Sequence, residues 1–402
     1  MGAIRNLVRL AAGAALALGL AGAASGGALP QITAVPGQPE LALASYDLKA
    51  LGYVVEEYFL AGEATSYRLV GEARTDGAWK AEAAGAAPYV TRIVVVRPAD
   101  PKRFNGTAAV EWLNVTGGLD VGPDWSFTHR ELMRSGYAYV GVSVQKVGVE
   151  GGNSMGGASG GLKKTKPQRY GGLSHPGDAF AYDIFSQAGR VVREGHVLGP
   201  FAPKRVLALG ESQSAIFLTT YVNAIDPLAK AYDGFLVHSR FGAAPLLDAA
   251  AIANRASSPS GVKFRTDLRV PVMTLIAETD LIGSGLSGYW TAAQPDNAKL
   301  RVWEIPGAAH ADVYMFQVAA SDSGVAPMEK IAPLWKPSTM TIVGKLAKPM
   351  NAAPQHHYVA QSALSHLDAW VRTGRRGRLR LHPRRARRRA AGADPGVQVA
   401  ER

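Results

Sequence analysis

The 402-residue sequence predicts an α/β fold of three layers, a mostly parallel sheet with helices on both faces. Three observations point there. First, strand-like runs recur along the chain: SYRLV (66–70), TRIVVVRP (91–98), TAAVEWLNV (107–115), YAYVGVSVQ (137–145), RVLALG (205–210), GFLVHS (234–239), PVMTLIA (271–277) and LRVWEIP (300–306). Several are continuously apolar, as strands covered on both faces of a parallel sheet require. Second, the two earliest runs lie close enough to pair as neighbours, whereas the later ones are separated by segments able to hold helices. Third, two of those segments carry helical signatures. In DWSFTHRELMRSG, Asp124 is placed to cap the start and Gly136 to close the end. In DAFAYDIFSQAGRVVRE, Phe180, Ile184, Ala188 and Val191 share one face, with Asp178 as the expected cap. Strands alternating with helices after an initial strand pair describe an open α/β sheet. Although 402 residues would allow several domains, such folds often run this long as one unit.

The flanks read differently. Residues 1–25 have a basic start (Arg5, Arg9), an apolar run from Leu10 to Ala21 and small residues at 21–25, the parts of a secretory signal peptide. The run is short of the ~20 residues a membrane-spanning helix needs, so an exported protein without a membrane span after signal cleavage is expected. Residues 26–45 read as a linker and 46–371 as the folded domain. Within it, 311–362 breaks the strand–helix alternation and is a candidate lid. Residues 148–177, rich in glycine, read as a mobile loop near the site. They do not fit the phosphate-binding pattern G-x-x-x-x-G-K-[ST], since Leu162 stands where lysine belongs.

The net charge of +12 suggests a polyanion ligand until it is located. Residues 372–402 hold eleven arginines against Asp394 and Glu401, so the body carries only +3. No basic groove is indicated, no nucleic acid partner is expected, and the tail reads as disordered. With no cysteine, the chain cannot form disulfides, thiolate metal sites or a cysteine nucleophile. His356 and His357 resemble a weak metal pair but lack a third ligand at helical spacing, so neither a metal nor another cofactor is expected.

The chemistry concentrates at VLALGESQSAIF (206–217). A serine hydroxyl needs a base, an acid to orient that base, and donors for the oxyanion that forms. RVLALG is a strand ended by Gly210, Ser212 follows at a tight turn, and AIFLTTYV opens a helix. Positions two before and two after such a serine must be small; Gly210 is, and Ser214 departs from the usual glycine while staying small. The acid follows the strand PVMTLIA, as Asp280 or Glu278, with Asp280 better placed. The base is His310, delivered by Gly-Ala-Ala after LRVWEIP. In a parallel sheet these strand ends meet at one rim. The oxyanion donors would be the backbone amide of Gln213 and an amide of the loop NVTGG (114–118), that of Thr116 with Gly117 as second choice. Trp125 and Trp290 stand near the same rim but suit core or lid packing.

The strings GESQS, AETD and GAAH, each after an apolar strand, resemble the α/β-hydrolase superfamily. RYGGLSHPGDAFAYDIFSQ (169–187), GESQSA and AHADVY narrow the resemblance to an exported family of α/β-hydrolase-domain proteins, from about residue 45 to about 371. That resemblance implies a serine hydrolase without a cofactor, acting on a small-molecule ester, with Ser212 as nucleophile, Asp280 as acid and His310 as base. It leaves the substrate and the oligomeric state open. The arginine-rich tail departs from the proline-rich, apolar segment usual in that family. The alternative is a hydrolase-fold protein that binds a ligand or partner without catalysis.

Overall fold

The computed structural model describes residues 28–154, 157–248, 258–283, 287–341 and 344–375. Nine strands form one sheet: β1 (Gln31–Ala34), β2 (Tyr53–Leu69), β3 (Ala81–Pro98), β4 (Thr107–Trp112), β5 (Ala138–Val142), β6 (Arg205–Glu211), β7 (Gly234–His238), β8 (Val272–Ala277) and β9 (Leu300–Ile305). Their spatial order is β1-β2-β3-β5-β4-β6-β7-β8-β9. Pairing is antiparallel from β1 to β5 and parallel from β5 onward. The helices flanking it include α1 (Pro123–Arg134), α2 (Ala181–Arg193), α3 (Gln213–Thr220), α4 (Glu278–Ile282) and α5 (Gln355–Thr373). The fold is the three-layer α/β sheet that the run pattern predicts, in the α/β-hydrolase arrangement that the resemblance implies.

The apolar runs are continuous because each strand feeds two cores. On β6, Val206 and Ala208 face a core built with α2 and α3, while Leu207 and Leu209 face one built with α1 and α5. On β7, Phe235 and Val237 take the first side and Leu236 the second. Burial of such side chains contributes roughly 1.5–3 kcal/mol each. This packing makes the parallel part of the sheet a rigid base for whatever projects from its edge.

Four expectations need correction. Residues 26–45 are not merely a linker: Gln31–Ala34 adds an edge strand to β2, and Leu43 packs in the α1/α5 core. Asp124 does not cap α1; it lies inside the first turn after Pro123 and its carboxylate turns inward. Glu111 of β4 caps instead, accepting the Asp124 and Trp125 amides at 2.8 and 2.9 Å. Asp178 likewise makes no cap bond within its own helix and accepts the Lys146 amide at 2.7 Å. The glycine-rich segment holds short helices at Lys146–Glu150, Gly161–Thr165 and Pro167–Tyr170, and buries Val149, Leu162, Tyr170 and Leu173 together. Gly136 behaves as expected, closing α1 at φ 72°.

The segment expected as a lid packs mainly against α1 and α5. The Asp322 carbonyl faces His129 Nε2 at 2.7 Å, its carboxylate takes the Arg130 guanidinium at 3.1 Å, and Tyr314 stacks on His357. The expected signal segment and nearly all of the basic tail lie outside the described residues. No described helix is long and apolar enough to cross a membrane.

Candidate active site

The strand register decides which loops meet. Glu211 of β6 stands opposite His238 of β7, Leu275 of β8 also pairs with His238, and Ala277 pairs with Ile305 of β9. The C-terminal ends of these parallel strands therefore share one edge, although Ser212, Asp280 and His310 are far apart in the chain.

Ser212 sits at φ 60°, ψ −116° between β6 and α3. A non-glycine residue there stores strain of order 1–3 kcal/mol. The turn is held by the Ser212 amide donating to the His238 carbonyl at 3.0 Å. It also explains the small flanking residues. A Cβ added at Gly210 would lie 2.8 Å from Leu218 Cδ1 and 3.1 Å from Ser214 Cβ. Serine at 214 fits, but its buried hydroxyl has no hydrogen-bond partner among the described residues.

Ser212 Oγ lies 2.7 Å from His310 Nε2, and His310 Nδ1 lies 2.5 Å from Asp280 Oδ1. With Nδ1–H donated to the carboxylate, Nε2 is left to accept the serine proton. Asp280 is fully buried on the first turn of α4, and its other oxygen accepts the Ala277 amide at 2.8 Å. Glu278, the alternative acid, points elsewhere: it accepts the Gly307 amide at 2.7 Å and braces the loop carrying the histidine. Thr279 Oγ1 accepts the His310 amide at 2.7 Å and completes that brace. The Phe241 ring lies 5.1 Å from the His310 ring, centroid to centroid. The histidine side chain remains 29% exposed.

Burial opposes a charge on His310, but the Glu211 and Asp280 carboxyl groups outweigh it and raise the ring's pKa to about 9. Glu211 stands directly before the serine, and nothing in the sequence pattern marks it as part of the site. Its side chain is buried, and Oε1 lies 3.5 Å from His310 Nε2 without a hydrogen-bond partner. Burial pushes this carboxyl well above the usual carboxylate range, and His310 pulls it back.

Of the amides expected to hold an oxyanion, that of Gln213 is the first of α3, where an N–H has no partner within its own helix and the helix dipole favours negative charge. The Thr116 amide is already engaged, donating to Asn114 Oδ1 at 2.8 Å. Among the described residues no acceptor takes the Gly117 amide, and the space at its Cβ position is open. The Gln213 side chain ties the two halves together: its Oε1 accepts the Val115 amide at 3.0 Å and the Thr116 hydroxyl at 3.3 Å. Asn114 Nδ2 donates to the Glu211 carbonyl at 3.2 Å.

A second buried chain runs beneath the site. Asp124 Oδ1 faces His238 Nδ1 at 2.8 Å, and His238 Nε2 faces His356 Nε2 at 2.8 Å. Burial holds His238 down to about 3 and His356 well below the ordinary imidazole range, so both rings are neutral. His356 thus latches α5 to the strand whose carbonyl fixes the serine turn, and His357 stacks on Tyr314. Neither histidine of the pair faces a metal-binding cluster among the described residues. Trp125 is buried with its indole N–H donating to the Leu43 carbonyl, whereas Trp290 is exposed.

No curated protein matches the chain. Among solved structures it is similar to a serine hydrolase without a lid from Xanthomonas campestris, at 11% identity, TM-score 0.33, covering 61% of this chain and 86% of that one. It is also similar to a thermostable esterase from Pseudomonas putida, at 14% identity, TM-score 0.36, covering 81% and 86%. A third likeness is to esterases of Rhizomucor miehei, at 11% identity, TM-score 0.35, covering 82% and 93%. The model of the family described as alpha/beta hydrolase domain matches residues 22–394, and the chain belongs to that family.

Proposed function

We propose that this protein is an exported serine hydrolase that cleaves carboxylic esters through an acyl-enzyme on Ser212. The observation that carries the reading is the unbroken chain from Ser212 Oγ through His310 to Asp280, at 2.7 and 2.5 Å, on a strained turn. As the Ser212 oxygen attacks the acyl carbon, its proton passes to His310 Nε2. Asp280 holds the ring's orientation and offsets the imidazolium charge. The Gln213 and Gly117 amides receive the oxyanion, with Gly117 favoured over Thr116 because the latter's N–H is taken. The imidazolium then protonates the departing alkoxide as the C–O bond breaks. Water, deprotonated by the same ring, releases the carboxylic acid and restores the serine. The reaction so written uses no cofactor.

The test is Ser212→Ala against short p-nitrophenyl esters. Loss of turnover by roughly 10³-fold or more is expected, and full retained turnover rejects the assignment. Asp280→Asn is expected to cost about 10⁴-fold, while Glu278→Gln stays within about tenfold because it disturbs only a loop brace. Labelling of Ser212 by a fluorophosphonate separates this reading from a non-catalytic binding protein, which would leave the hydroxyl unlabelled. Export is tested by fractionation and N-terminal sequencing, with a mature start near residue 26 as the expected result.

A further inference from the structure

Glu211 is a buried carboxyl group beside His310 that the mechanism above does not use. Its position is costly. A charged or neutral carboxyl oxygen closed off from water, with no donor, loses several kcal/mol relative to an apolar side chain of similar size. Oε1 nevertheless lies 3.5 Å from His310 Nε2. That is too long for a good hydrogen bond at rest and within ion-pair range once the ring is charged. The same nitrogen is 2.7 Å from Ser212 Oγ. In the base-competent form of the site, reached above the ring's raised pKa of about 9, Nε2 bears no proton and has nothing to offer a carboxylate. During the reaction it carries the serine's proton, and at that moment the serine oxygen is bonded to the tetrahedral acyl carbon and no longer holds the negative charge.

We propose that Glu211 is a positioning residue that takes the Nε2–H of the His310 imidazolium, holding the proton between serine and leaving group while the C–O bond breaks. The imidazole would then be gripped at both nitrogens by carboxyl groups, Asp280 at Nδ1 throughout and Glu211 at Nε2 only when the ring is charged. This rests on the reading of Ser212, His310 and Asp280 given above. The titratable groups whose charge acts on the pair are Asp280 from α4, Asp124 from α1 and Glu111 from β4, with His238 of β7 and His356 of α5. The two histidines are neutral and add no charge beside the ring.

The sign of the effect follows. A carboxyl group near Nε2 favours the charged ring, so the acid limb of kcat/KM, which reports the free enzyme's base, should lie above the ordinary imidazole value of about 6.5. Glu211→Gln keeps the shape and removes the charge. It is expected to lower kcat by about tenfold or more and to move the acid limb down by about one pH unit or more. A role in packing alone would lower the rate and leave the limb in place, and that result overturns the proposal. Titration of the His310 ring by ¹⁵N NMR, in the parent protein and in Glu211→Gln, reads the same shift without turnover. It therefore tests Glu211 even if no ester is cleaved. An unmoved ring midpoint overturns the proposal; a lowered one supports it. Should Glu211→Gln not fold, Glu211→Asp withdraws the charge by one methylene. It is expected to lower the midpoint by less, and an unmoved midpoint there counts equally against it.

Discussion

The buried Ser214 hydroxyl sits in the turn where the common pattern has glycine. Its side chain is fully buried and its oxygen has no partner among the described residues, so the hydroxyl contributes desolvation cost without a compensating bond. Its Cβ is tolerated because Gly210 leaves the opposite wall empty. Two substitutions separate these effects. Ser214→Ala removes the orphan oxygen and keeps the volume; its unfolding free energy is expected to equal the parent's or exceed it by about 1 kcal/mol. Gly210→Ala drives a methyl group toward Leu218 and Ser214; it is expected to cost about 1–3 kcal/mol. Urea unfolding of the three proteins checks both. A strongly destabilised Ser214→Ala would mean that the hydroxyl has a partner the structure does not show.

The elements were legible where one strand or one turn carried the signal. The runs of β4 to β9 were legible because a strand covered on both faces must be apolar at successive positions, whereas SYRLV marks only the end of β2 and pairs with Ala81–Ala83 rather than with the TRIVVVRP run. The three residues of the hydrogen-bonded chain were legible because each follows such a strand. What the sequence could not display were bonds between distant elements. Asp124 looks like a helix cap because it stands at a helix start, yet Glu111, from a neighbouring strand, supplies the capping oxygens. Gln213 looks like a backbone donor, and its side chain proves to be the strut between α3 and the 114–117 loop. Gln213→Ala leaves its own amide in place but strands the buried Val115 N–H. The loop should lose its fixed distance from the turn, and kcat is expected to fall by about tenfold to a hundredfold, with Ser212 still labelled by a fluorophosphonate. A variant with parental kcat would show that the loop holds its place without the strut.

At the scale of the molecule, burial sets an acid limit on stability. Burial keeps His129, His175, His238, His356 and His357 below the ordinary imidazole range. Each would take up a proton near pH 6.5 in the unfolded chain and not in the folded one. Their contribution is therefore fully present above about pH 6.5 and is lost as pH falls toward their folded values. Glu111, Asp124 and Glu211 act with the opposite sign, since burial raises them and the folded state holds their protons longer. Their contribution is present below the unfolded carboxylate range and lost as pH rises through the folded values. His357 isolates the first effect. Its ring is stacked on Tyr314 at 3.6 Å and 4°, and burial holds it down to about 3, with Arg130 adding to the effect. His357→Phe keeps a ring in the stack and removes the titration. At pH 7 the variant should match the parent within about 1 kcal/mol. At pH 5 the parent alone has given up the free energy of one unfolded-state protonation, and the variant is expected to gain about 2 kcal/mol relative to it. Urea midpoints measured at both pH values decide the matter: an equal fall in the two proteins would assign the acid sensitivity to the other histidines.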